Sequence, residues 1–90
     1  MKISNFTSAK GNKVPNQFII HTSEYTIFQS YDSTIVKTTF EDGVKVYYLD
    51  EYYWNYSKTT SKYRNQFLGE NTKETQVKID NGTYKLVNLN

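Results

Sequence analysis

The sequence predicts a small α+β fold: an antiparallel sheet of about five or six strands, with two or three short helices before a final strand. Up to Leu49, short runs of β-branched and aromatic residues are separated by turn residues, which is typical of consecutive strands. After Asp50 the pattern changes to segments with helix-capping residues at their starts and glycine near their ends. Since no repeat or linker interrupts the chain, we expect a single domain over residues 1–90.

The first three strands are expected at residues 2–7, 17–22 and 25–31. The second and third of these segments are rich in isoleucine, threonine, phenylalanine and tyrosine, the residues enriched in strands. Residues 9–15 are expected to form a turn between the first two strands. They contain a Gly-Asn pair and a proline, which has no N–H to donate to a sheet.

Residues 34–40 and 44–49 are expected to form a hairpin around Glu41-Asp42-Gly43. A two-residue loop would pair Phe40 with Lys45 and give a mixed face. A three-residue loop with Gly43 left-handed would instead collect the apolar residues on one face: Val36, Phe40, Val44, Val46 and Tyr48. We favour the three-residue loop, because a slip by one residue would expose this row.

The second half of the chain is expected to be mainly helical. Asp50 is a good N-cap for a short first helix, and a second helix is expected from Thr60 to Leu68, ending at Gly69. A third helix follows Asn71, which has a glutamate three residues later in a capping-box arrangement, and it ends at an Asn-Gly pair. Residues 83–89 are then expected to form the last strand.

Residues that could support catalysis or metal binding are sparse. His21 is the single histidine, and there is no cysteine. The adjacent acids, Glu41-Asp42 and Asp50-Glu51, fall at a turn and a helix start, where acids are common for structural reasons. We therefore expect a non-enzymatic protein without metal or cofactor; an enzyme would need a concave site around His21.

The sequence has no feature that predicts a membrane partner. No segment approaches the about 18 consecutive apolar residues of a spanning helix, and the first residues lack the apolar stretch of a signal peptide. The net charge of +2 is also too small to indicate a class of partner by itself. We expect a soluble, cytoplasmic protein.

Three segments resemble a family of short proteins encoded by tailed bacteriophages, a family of unknown function. They are FQSY at 28–31, YWNYSKTTSKYRNQFLGE at 53–70 and KETQVKIDNGTYKLVNLN at 73–90. The resemblance extends over most of the chain from Val14 onward, and residues 54–69 are its most distinctive part. It implies a phage origin, and so a place of action in the host cell, but it supplies no catalytic residues.

The surplus of tyrosine favours binding to another protein. Six of the nine tyrosines lie between Tyr47 and Gly69, and tyrosine is enriched among the residues that contribute most to protein interfaces. Trp54, Tyr63 and Phe67 are expected to dock the helices on the sheet. The residues expected to bind a host or phage protein, for example as an inhibitor of a host defence system, are Tyr47, Tyr52, Tyr53 and Tyr56. Of these, Tyr47 is expected to be exposed, on the hairpin face opposite the apolar row.

Two alternatives remain open for the same region. Lys58, Lys62 and Arg64 are interleaved with aromatic residues, and basic groups with stacking rings are typical of nucleic-acid-binding surfaces. The protein would then be a nucleic-acid-binding accessory protein. A homodimer through an edge strand or through the tyrosines is the other alternative, because a sheet in so short a chain has few elements to cover its edges.

Overall fold

The computed structural model describes all 90 residues. It contains six strands and two helices, in the order β1 (Lys2–Thr7), β2 (Lys13–His21), β3 (Tyr25–Ser30), β4 (Ser33–Glu41), β5 (Val44–Asp50), α1 (Lys58–Leu68), α2 (Thr72–Asp80) and β6 (Tyr84–Val87).

The six strands form one sheet in which the spatial order equals the order along the chain. Strands β1 to β5 are antiparallel to their neighbours, since short connections reverse the chain between them. Strand β6 pairs with β5 in parallel, because α1 and α2 lie in the connection and return the chain to the same end of the sheet. The predicted α+β class is confirmed, although the sheet is mixed rather than wholly antiparallel.

The hydrophobic core lies between the helices and one face of the sheet. The ring of Phe67 in α1 stacks on Phe28 with 5.9 Å between centroids, and the ring of Tyr63 lies 5.4 Å from that of Phe6. These contacts confirm the predicted docking roles of Tyr63 and Phe67. The buried core residues are Phe6, Phe28, Ile35, Val36, Leu49, Tyr63 and Tyr84.

The opposite face of the sheet also carries apolar side chains. The strand register aligns Ile3, Ile20, Ile27, Lys37 and Tyr48 in one row across five strands. These side chains are exposed or half-buried. A single layer of helices therefore covers one face of the sheet and leaves the other in contact with solvent.

The predicted three-residue loop of the β4–β5 hairpin is wrong. Asp42 and Gly43 form a two-residue loop with φ of 54° and 79°, and Phe40 pairs with Lys45. Two left-handed residues make a turn whose twist matches that of the strands, and Asp-Gly is a preferred pair for it.

This register divides the apolar residues of the hairpin between the buried face and the exposed tip, instead of collecting them on one face. Val36 pairs with Leu49 on the buried face, while Phe40 and Val44 at the tip are 68% and 65% exposed. Burying Val36 and Leu49 under the helices compensates for leaving two apolar side chains in water.

The structure corrects the start of the helical half of the chain. No helix begins at Asp50; residues 51–56 form hydrogen-bonded turns instead. Helix α1 begins at Lys58, two residues before the predicted start, because Ser57 is its N-cap and its Oγ accepts a hydrogen bond from the N–H of Thr60 at 3.1 Å. The left-handed Gly69 ends α1 as predicted, with φ of 71°.

The predicted capping box of the next helix is confirmed. The Asn71 side chain accepts from the N–H of Glu74 at 2.8 Å, and the Glu74 carboxylate accepts from the N–H of Asn71 at 3.0 Å. The helix α2 that follows Asn71 therefore begins where the sequence predicts.

Strand β2 starts earlier than predicted and contains Pro15. The pairing of β1 with β2 shifts between Asn5 and Thr7, and Asn16 has a positive φ of 64°. At such an irregularity a residue without an N–H is tolerated, because it leaves no gap in the ladder of hydrogen bonds. The predicted turn over 9–15 is thus reduced to the residues before Lys13.

Candidate functional site: a pocket lined by tyrosines

Three tyrosines lie together on the turns that follow β5. The centroids of the Tyr52 and Tyr53 rings are 4.8 Å apart, and those of Tyr53 and Tyr56 are 5.3 Å apart. Tyr52 and Tyr56 are 72% and 64% exposed, whereas Tyr53 is half-buried against the core. The turns therefore expose the rings of Tyr52 and Tyr56 to solvent, and both rings pack against the half-buried ring of Tyr53.

The buried carboxylate of Asp50 fixes the turns that carry these tyrosines. It accepts hydrogen bonds from the N–H groups of Tyr52 and Tyr53 at 3.0 and 2.8 Å. It also accepts from the N–H of Leu89 and the amide of Asn90. Burial alone would raise the pKa of Asp50, but these four hydrogen bonds together lower it below its ordinary value. Asp50 therefore holds the turns rigidly against the end of the chain.

A pocket of about 310 Å³ opens beside the tyrosine cluster. Tyr53 and Tyr56 line it together with Tyr31 and Asp32, which form the β3–β4 turn. Its other lining residues are Ser30, Ser33, Ile35, Ser57 and Thr60. The pocket thus combines three aromatic rings with one carboxylate and several hydroxyl groups.

Tyr31 enters this pocket from a strained backbone. Its φ of 54° places it in the left-handed region, at the first position of the two-residue turn between Ser30 and Ser33. Glycine is the usual residue there, and a bulky side chain in this conformation is an outlier. The ring of Tyr31 is 55% exposed, so burial compensates for only part of the strain.

The structure does not bring Tyr47 to this cluster. Because of the hairpin register, Tyr47 lies on the face covered by the helices, where its ring is 5.0 Å from that of the buried Tyr84. Tyr47 is half-buried and packs against the core. The expectation that it is exposed on the open face is wrong, and its neighbour Tyr48 occupies that face instead.

Arg64 is fully buried rather than part of a basic surface. Its guanidinium donates to the carbonyl oxygen of Trp54 at 2.5 Å, to Asn65 Oδ1 at 2.9 Å and to Thr72 Oγ1 at 2.8 Å. It also lies 5.1 Å from the ring of Trp54. Burial lowers the pKa of Arg64, partly offset by the charge of Glu70. Of the three basic residues predicted for nucleic acid, only Lys58 and Lys62 remain exposed.

The match to known proteins lies at the level of the family. A family of unknown function, DUF8033, has a model that matches residues 1–82. The chain belongs to the DUF8033 family. No curated protein and no solved structure matches the sequence. The match covers strands β1 to β5, both helices and every residue of the tyrosine-lined pocket, so the pocket lies within the DUF8033 region of the chain.

His21, on which an enzymatic role would depend, lies away from the tyrosine-lined pocket of this DUF8033 protein. It is exposed on β2, and its Nδ1 is 3.2 Å from the hydroxyl of Thr26. A second pocket of about 200 Å³ includes His21 together with Lys45 and Tyr47. No carboxylate is among its lining residues.

Two residues of the candidate site, Tyr31 and Asp32, were not predicted from the sequence. A two-residue gap between strand-like segments is a signal for a hairpin turn, but neither residue is a glycine. The run of strand-forming residues instead predicts Tyr31 as the end of the third strand, which in the structure ends at Ser30. A tyrosine at a left-handed turn position contradicts local preference, so the pattern of residue types could not indicate it.

None of the helices in this DUF8033 chain combines the length and the apolar character needed to cross a membrane.

Proposed function

We propose that the protein is a non-enzymatic binding protein that contacts a protein partner through a tyrosine patch made of Tyr31, Tyr52, Tyr53 and Tyr56. The observation that carries the proposal is the exposure of Tyr52 and Tyr56, at 72% and 64%, on turns that Asp50 holds in place. Tyr47, which the sequence also predicts to bind the partner, does not belong to the patch because its ring packs against Tyr84.

The physical argument for the patch is preorganisation. Large aromatic rings gain much from being buried at an interface, and tyrosine loses little conformational entropy because it has few rotatable bonds. Asp50 already fixes the backbone of Tyr52 and Tyr53, so a partner would not have to order these turns. Binding through the patch therefore avoids the entropic cost of ordering this part of the backbone.

We further propose that the protein is encoded by a tailed phage and acts in the cytoplasm of its bacterial host, on a host component such as a defence system. The support is the resemblance of residues 28–31, 53–70 and 73–90 to short phage proteins. The segment 53–70 contains Tyr53 and Tyr56, so the resemblance and the patch overlap in the sequence.

Affinity capture from a host lysate tests the patch. The wild-type chain is compared with a Tyr52→Ser/Tyr56→Ser variant, whose changes are at exposed positions and should leave the fold intact. The matched control is Phe40→Ser/Val44→Ser, which removes two equally exposed apolar side chains at the far hairpin tip. We expect one protein to be retained by the wild type and by the control, and to be lost with the patch variant.

Retention of the same protein by all three chains would contradict the proposal. Recovery of nucleic acid that depends on Lys58 and Lys62 would contradict it as well. If Lys58→Ala/Lys62→Ala abolished capture and the captured material dissociated steeply with salt, the protein would instead be a nucleic-acid-binding accessory protein.

A further inference from the structure

We propose that the pocket formed by Tyr31, Asp32, Tyr53 and Tyr56 receives a cationic side chain, a lysine or an arginine, from the protein partner. The inference rests on the proposed function and names the chemistry of the group that the tyrosine patch recognises. The patch would supply the contact area around the pocket, and the pocket would select the residue at its centre.

Charge is the first argument for a cation. Asp32 is the only residue with a formal charge among those that line the pocket. The faces of the tyrosine rings carry negative electrostatic potential, so an ammonium or guanidinium group is attracted by rings and carboxylate together. Lys58, the nearest cation along the chain, is exposed and does not line the pocket.

Three of the four serine and threonine hydroxyl groups that line the pocket are engaged within the protein. Thr60 Oγ1 lies 3.2 Å from Ser30 Oγ and 3.1 Å from Ser57 Oγ. Ser57 Oγ also accepts from the N–H of Thr60, so the start of α1 is capped by its own side chain. Because the carboxylate of Asp32 is the one formal charge in its lining, the pocket is poorly suited to a phosphate or carboxylate.

Size and strain point to a single side chain. A volume of about 310 Å³ is at the lower end of the range for pockets that hold small molecules, roughly 300–1,000 Å³.

Tyr31 keeps a left-handed backbone at the rim, with φ of 54°, where glycine would be unstrained. Strain of this kind is often retained where the side chain has a role in binding.

The test is an NMR titration of the full ¹⁵N-labelled chain with N-acetyl-arginine amide and, separately, N-acetyl-lysine amide. N-acetyl-citrulline amide serves as the uncharged analogue of the arginine probe, and inorganic phosphate serves as the anion. We expect saturable shifts at residues 30–33 and 53–57 with at least one cation, with a Kd of about 1–10 mM for so small a probe. Citrulline and phosphate should leave these resonances unchanged.

Two variants and a control make the result specific. We expect Asp32→Asn to weaken binding of the cation about three- to fivefold, as for an exposed ion pair. Tyr56→Ser should weaken it as well, and because both positions are exposed the fold should survive. Glu24→Gln, at an equally exposed acid in another turn, should have no effect.

Three results would overturn the proposal: no saturable shift with either cation, equal binding of citrulline and arginine, or phosphate binding at the same residues. Their meaning differs from a failure of the affinity capture. A patch that retains a partner but binds no cation removes only the pocket chemistry. Cation binding without a captured partner would remove the proposed function and leave a small-molecule site.

Discussion

Tyr31 combines a strained backbone with an exposed ring at the pocket rim, and glycine should relieve the strain. We expect Tyr31→Gly to stabilise the fold by about 1 kcal/mol, because the left-handed conformation costs an L-residue roughly 1–2 kcal/mol and glycine loses part of that gain as chain entropy. Tyr31→Phe keeps the strain and should leave stability unchanged. Urea denaturation measures the difference, and a less stable glycine variant would contradict the account of strain.

Gln17 is the second residue with an evident energetic cost. Its side chain is 1% exposed, and neither amide atom has a hydrogen-bond partner. We expect Gln17→Met to raise stability by about 1 kcal/mol, since a buried polar group is replaced by an apolar one of similar shape. Thermal unfolding followed by circular dichroism tests this. Gln17→Glu, which would bury a charge at the same place, should lower the Tm; if it did not, the site would be hydrated.

At the scale of elements, Arg64 connects three parts of the structure. Its guanidinium joins α1 to the turn at Trp54 and to Thr72 in the first turn of α2. We expect Arg64→Ala to destabilise the protein by about 3 kcal/mol or more, because several buried hydrogen bonds to a charged group are lost together. The exposed neighbour provides the comparison: Lys62→Ala should change stability by less than about 0.5 kcal/mol. Equal effects in chemical denaturation would mean that Arg64 is not a structural residue.

The elements also show how far the sequence predicts this structure. Asn71 and Glu74 define the start of α2 correctly, because a capping box is a local interaction between residues close in sequence. The β4–β5 register is wrong in the prediction, because it depends on which face the helices cover, and α1 lies far along the chain. The sequence does not predict the burial of Arg64 for the same reason: its hydrogen-bond partner Thr72 belongs to another helix. The structure brings together Tyr52, Tyr53 and Tyr56, which with Tyr47 are the tyrosines that the sequence predicts to bind a partner, whereas Tyr31 and Asp32 join the site only through the tertiary fold.

For the whole molecule, stability should decrease in acid. Besides Asp50, the nearly buried Glu70 has a lowered pKa: burial would raise it, but Lys78, Thr75 and Tyr84 stabilise the charged form through hydrogen bonds. A carboxyl whose pKa is lower in the folded state contributes stability above its unfolded pKa and loses it as the pH falls through the folded value. The ordinary values here are 3.8 for Asp50 and 4.5 for Glu70.

We therefore expect the urea midpoint to be constant above about pH 5 and to fall below about pH 4. An Asp50→Asn/Glu70→Gln variant should be less stable at pH 7 and show a shallower decrease in acid. The pKa of Tyr84 shifts in the opposite direction, because burial and the hydrogen bond to Glu70 raise it to about 12. A group whose pKa is higher in the folded state loses its contribution to stability as the pH rises, so stability should decline between about pH 10 and 12. A wild-type midpoint that did not change between pH 5 and 2 would contradict these assignments.

The parallel pairing of β6 with β5 sets the order in which the molecule can assemble. Strands β1 to β5 are joined by short turns, whereas β6 can pair only after the whole segment 51–83 has been gathered into a loop, which costs more chain entropy. We expect the meander to form in the transition state for folding and β6 to dock after it. Tyr84→Leu should then mainly accelerate unfolding, while Val36→Ala should mainly slow folding, in stopped-flow urea jumps. If Tyr84→Leu instead slowed folding, β6 would already be docked in the transition state, which would contradict this order. If the order holds, the lifetime of the folded protein is governed by its shortest strand, the four residues of β6.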